Sequence, residues 1–176
     1  SGRQSRVFNM SKITIVEDCL APARFVYLEY SGKNPFGVAN KIASMLCPFF
    51  HVSSAGISET DFRWDTSGDP ITFYFTWWVQ RSEETSSYTK QRFDIKVQGK
   101  QGKETKDGEF TLQLSAKMQT SFGGKSSITK ALFWLYDYLF YKRRRAEYLK
   151  NCEELTYEFR DEIKKHFNLS VIDKGG

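Results

Sequence analysis

The chain has 176 residues, 40% hydrophobic and 27% charged, enough apolar content for one core and too little polarity for global disorder. A net charge of +5 permits weak attraction to nucleic acid or anionic lipid without establishing either. No run of about 18 apolar residues exists, which excludes an ordinary transmembrane helix, and three widely spaced cysteines, Cys19, Cys47 and Cys152, leave at least one thiol unpaired.

The polar head Ser1–Asn9, ahead of Met10, reads as a cloning remnant or a disordered head. A single α+β domain is expected over 10–170, with a flexible tail at 171–176. No basic segment followed by an apolar stretch opens the chain, so no secretory signal is expected and a reducing, cytoplasmic setting is the default.

From Lys12 to Leu20, Ile13, Ile15 and Val16 predict a strand, interrupted at Pro22 because proline cannot donate to a ladder. Arg24–Tyr30 resumes a β-like run. Asn34 and Pro35 then form a helix start, a side-chain cap followed by the residue whose fixed φ suits the first turn. Val38, Ala39, Ile42, Ala43 and Leu46 recur at helical spacing, and Pro48 is expected to end the helix near Cys47.

Four runs with period two follow. Ile57–Asp65 places Phe62 and Trp64 on one side, and Glu59, Asp61, Arg63 and Asp65 on the other. Ile71–Arg81 turns Ile71, Phe73, Phe75, Trp77 and Val79 inward, Arg92–Gln98 turns Phe93, Ile95 and Val97, and Glu109–Gln119 turns Phe110, Leu112, Leu114, Ala116 and Met118. Together with the earlier runs they predict an antiparallel meander of about 4–6 strands, apolar on one face and wet on the other. Gly99–Gly108 reads as a solvated hairpin tip.

After Gly123-Gly124, helical spacing continues to about Leu169 without a breaker. Roughly forty helical residues would span about 60 Å, longer than a small domain is wide, so the helix overhangs or bends near Lys142–Arg145. Its first half, Ala131–Tyr141, is apolar almost all round, and Ile128–Leu139 is expected to cover the sheet. What buries the second half, through Leu149, Cys152 and Phe159, is left to the sheet or to a partner chain.

Catalytic motifs are not found. Cys47 and His51 have a spacing open to a metal, but Pro48 intervenes and no second ligand pair accompanies them, so no metal site is expected. In FGGKSS (Phe122–Ser127) a phosphate loop would need a glycine where Gln119 stands. The carboxylates of Asp61 and Asp65 read as a solvated, partly paired surface. No cofactor is expected.

The α+β order, strands, one short helix, a meander and a long last helix, is similar to the helix-grip proteins of the START and Bet v 1-like families. The resemblance runs from Lys12 to Leu169, is one of element order, and carries no site residue. It implies a curved sheet wrapped on the last helix with an apolar cavity between them. Aromatics make up 16% of the chain, and large aromatics often line such cavities.

The leading expectation is therefore a non-enzymatic binding module that buries an apolar small molecule or a partner surface between sheet and helix. Phe73, Phe75, Trp77, Phe93, Phe110 and Leu112 would face Trp134, Leu135 and Tyr138. A second reading is a homo-oligomer or other protein assembly through the long helix. A third is nucleic-acid or anion binding through Lys100, Lys103 and Lys106 of the hairpin tip with Lys142, Arg143, Arg144 and Arg145, bases stacking on Tyr74 and Trp78.

Overall fold

The computed structural model describes residues 13–83, 86, 88–122, 127–136, 139 and 141–172. In chain order it contains β1 (Ile13–Asp18), β2 (Val26–Lys33), α1 (Pro35–Phe50), a 3₁₀ turn (Ser54–Gly56), β3 (Ile57–Asp65), β4 (Ile71–Ser82), β5 (Thr89–Gln101), β6 (Asp107–Phe122), α2 (Ser127–Tyr136), α3 (Lys142–Phe167) and β7 (Ser170–Ile172). The fold is α+β, with one antiparallel seven-stranded sheet in the order β3-β4-β5-β6-β2-β7 and β1 also paired to β6. Seven strands exceed the expected 4–6. The addition is β7, a three-residue strand on β2 too short to show a period, and it takes in Val171 and Ile172 from the expected tail.

β6 is the seam of the sheet. Along one side it pairs with β5 from Gly108 to Thr120. Along the other, β2 occupies the first stretch, from Asp107 to Leu114, and β1 the last, from Lys117 to Phe122. Between them the chain leaves the ladder at Cys19, whose N–H still donates to the Ala116 carbonyl (2.9 Å), and passes Pro22 through a cis peptide. Proline's missing donor thus falls outside the ladder, as the sequence required.

α1 begins as expected. Asn34 sits in the left-handed region and its Oδ1 accepts from Gly37 N at 3.1 Å, which satisfies one of the free amides of the first turn. Its end differs, because the helix runs through Pro48 to Phe50. Proline in the last turn forfeits one bond, to the Ser44 carbonyl, while Phe50 becomes buried against Phe93 (centroids 4.5 Å) and Phe159 (5.2 Å).

The inner face of the sheet is covered by α1 and α3. Ala39, Ile42, Leu46 and Phe50 descend from α1, and Tyr148, Cys152, Phe159 and Ile163 from α3, all buried in one core cluster. Within the expected cover Ile128–Leu139, Ile128, Leu132, Leu135 and Leu139 are 75, 61, 54 and 57% exposed, so these four side chains are not what covers the sheet. Periodicity showed one stripe running through both halves, and only the tertiary structure separates them. A disulfide from Cys19 to Cys152 holds the second half on the body. Cys47 is the remaining, free thiol.

One strand face also differs. A register shift between Glu59 and Asp61 inserts an extra residue into β3. Glu59 is thereby turned away from Asp61, Arg63 and Asp65 and accepts a hydrogen bond from the buried Trp77 indole (Nε1–Oε2 3.0 Å). A bulge reverses the alternation on one side of it, which period-two counting does not anticipate.

Candidate functional site

The expected cavity residues divide sharply. Phe73, Phe75, Trp77, Phe93, Phe110 and Leu112 are all 4% exposed or less. They meet rings from α1 and from the strands of the sheet: Phe36 lies 5.8 Å from Phe73 and 5.4 Å from Phe75, Phe75 stacks on Trp77 at 5.2 Å, and Tyr30 stacks on Phe110 at 5.2 Å. Leu135, expected opposite them, faces solvent. The side chain of Trp134 and all of Tyr138 lie outside the described residues.

The expected anion patch is split in two. Lys100, Lys103 and Lys106 lie at or beside the β5–β6 turn, where β6 begins at Asp107. Arg145 pairs with Glu17, which stands beside Met118 near the other end of β6. At about 3.3 Å per strand residue the two groups are separated by roughly 35 Å of β6. Each is also partly neutralised: Lys100 pairs with Glu109 at 3.0 Å, and neighbouring Lys33 with Asp107 at 3.5 Å. Tyr74 and Trp78 carry the guanidinium groups of Arg63 (5.5 Å) and Arg92 (5.3 Å) over their rings, so a face of each is already occupied.

What the wet face does present is a trough. It crosses β3, β4, β5, β6 and β2 at the hairpin end of the sheet and has a volume of about 460 Å³. Arg63 and Asp65 come from β3, Thr72 and Tyr74 from β4, Gln98 and Lys100 from β5, Glu109 and Thr111 from β6, and Glu29 from β2. Phe73 and Phe110, singled out by sequence as ligand residues, contribute here as well, between the inner core and the trough. A second hollow lined by Ser31, Gly32, Asp107 and Gly108 adjoins it, sharing Lys100 and Glu109.

Gly99 shapes the floor. A Cβ there would lie 2.5 Å from both the Glu109 carbonyl oxygen and Phe73 Cζ, so the Phe73 ring occupies the space a side chain would take. Along the rim, opposite charges alternate. Arg63 donates to Asp61 at 2.8 Å. Asp65 accepts from Ser67 N at 2.9 Å, and Ser67's side chain first, then its backbone N–H, hold the Asp65 carboxyl below its ordinary range, with a smaller contribution from Lys103. Among the described residues no cluster of three His, Cys, Asp or Glu side chains suits a metal ion. The trough therefore offers fixed donors and acceptors of both signs over an aromatic floor. Its residues come from five strands, and only Phe73, Tyr74, Phe110 and Lys100 were candidates from sequence.

No protein-family model matches the chain, and no curated protein matches it. A solved structure described as a delta-endotoxin aligns with 66% of this chain and 64% of its own, at 10% identity and a TM-score of 0.30. That similarity assigns neither fold nor function. No described helix is long and apolar enough to cross a membrane.

Proposed function

We propose that the protein is a non-enzymatic binding module whose ligand is a polar molecule carrying both charge signs, held in the trough on the wet face of the sheet. The trough carries this reading: about 460 Å³ of concave surface, in the range of small-molecule sites, with Arg63, Lys100, Asp65, Glu29 and Glu109 around it. The alternative position, between sheet and helix, has less support, because the residues chosen for it serve as the buried core. A helix-grip-like architecture is supported at the level of element order, by an antiparallel sheet with the last long helix across its inner face.

The Cys19–Cys152 bond favours an oxidising compartment over the cytoplasmic setting expected from sequence, since glutathione and thioredoxin keep cytosolic thiols reduced.

Amide chemical-shift mapping of the full chain tests the ligand reading, with zwitterionic dipeptides and neutral disaccharides as probes. Saturable shifts at Tyr74, Gln98, Lys100 and Thr111 with the dipeptides, weakened tenfold or more in Arg63→Ala, are expected (about 1.4 kcal/mol). Absence of saturable shifts with every zwitterionic probe would sink it.

A further inference from the structure

α2 and Leu139 just beyond it present an apolar stripe to solvent. Ile128, Leu132, Leu135 and Leu139 follow one another at four, three and four residues, the spacing of a single helical stripe, and are 54–75% exposed, with Tyr136 beside them at 48%. This stripe is attached to the body. Just past its end Tyr141 is buried, its hydroxyl 2.7 Å from Ser86 Oγ and also bonded to Thr89. Immediately beyond, Lys142, Arg143 and Arg144 are exposed, while Arg145 is drawn off to Glu17.

We propose that α2 and the first turn of α3 form an anchor for anionic lipid surfaces, the stripe entering the headgroup–acyl boundary and Lys142, Arg143 and Arg144 meeting lipid phosphates. An aromatic and aliphatic stripe beside exposed Lys and Arg is the composition of a helix lying in the interface plane, and phosphate headgroups complement the charge of the adjoining turn. A second copy of this chain fits less well. A ten-residue helix is about 15 Å long and about 10 Å across, a footprint well short of the roughly 800 Å² per partner of a stable interface. Three consecutive cations at its end would also repel their counterparts in a symmetric pair.

Vesicle co-sedimentation of the full chain tests this, with phosphatidylcholine alone and phosphatidylcholine mixed with phosphatidylglycerol, at low salt. Binding to the mixed vesicles should be at least roughly tenfold tighter than to the neutral ones and should weaken as salt rises. Leu132→Ser with Leu135→Ser, both at exposed positions, should lower binding to either vesicle by roughly tenfold or more. Lys142→Glu with Arg143→Glu should remove only the preference for anionic lipid. Circular dichroism verifies that both variants stay folded. No sedimentation with either vesicle, or equal affinity for both, overturns the proposal. So does a dimer by light scattering that Leu132→Ser with Leu135→Ser dissociates, because a second copy would then be what covers the stripe.

Discussion

Cys19, in the turn that leaves β1, is bonded to Cys152 in the middle of α3, with Cα atoms 5.8 Å apart and a sequence separation of 133 residues. Closing so long a loop restricts the unfolded chain strongly. The chain-entropy estimate for this length is about 5 kcal/mol, and observed contributions are typically about 2–4 kcal/mol. Cys19→Ala with Cys152→Ala should therefore lose about 2–4 kcal/mol in denaturant unfolding. Thiol counting on the unreduced, unfolded wild type should find one reactive cysteine, Cys47.

The two halves of the C-terminal helical region should respond to truncation very differently. Phe159 is 1% exposed and touches Phe49 (5.0 Å) and Phe50 (5.2 Å), so Phe159→Ala should cost about 3–5 kcal/mol. Leu135→Ala should change stability by less than about 0.5 kcal/mol, as for other solvent-facing substitutions. Equal losses at the two positions would contradict the burial of Phe159 and the exposure of Leu135.

Glu59→Ala removes the carboxylate that accepts from the Trp77 indole N–H. An unsatisfied buried donor costs about 1–3 kcal/mol, and Trp77→Phe in the same background should recover part of that loss, since the donor is then gone. A double-mutant cycle by equilibrium unfolding measures both.

Gly99→Ala should destabilise by about 1–3 kcal/mol through overpacking, because its Cβ would meet backbone and the Phe73 ring at 2.5 Å. Phe73→Leu should relieve part of that loss, which thermal unfolding of the double variant would register.

Asp65 yields a prediction in pH. Its folded pKa is depressed, chiefly by Ser67, so the carboxylate keeps its charge to lower pH in the folded chain than in the unfolded one. The associated stabilisation is present above the unfolded carboxyl pKa and is lost as pH falls through the folded value. Ser67→Ala should raise the Asp65 pKa towards its ordinary value, read from side-chain carbonyl shifts across an NMR titration. An unchanged titration would exclude the Ser67 contact as the cause.

The inner faces of β4, β5 and β6 were legible because strict alternation from Ile71 to Val79, from Phe93 to Val97 and from Phe110 to Met118 survives without interruption. Asn34 and Pro35 marked the start of α1 for a local reason, cap chemistry, which sequence carries directly. Glu59 was misassigned because one bulge outweighs the local period. Leu135 and Phe159 share one stripe in the sequence, yet solvent meets only Leu135, a difference that periodicity does not carry. The trough was invisible because Glu29, Arg63, Lys100 and Glu109 become neighbours only when five strands are set in register.

β6 also imposes an order on the making of the molecule. Val26 of β2 finds its partner Leu114 only 88 residues later, and β1 must wait for the still later residues Lys117–Phe122. During synthesis, at about 5–20 residues per second, β1 and β2 emerge first and remain without their β6 ladder, while β3, β4 and β5 can zip as neighbouring hairpins. Closure of the sheet is thus a late, non-local event, and the N-terminal strands are the part of the newborn chain most in need of protection from other chains.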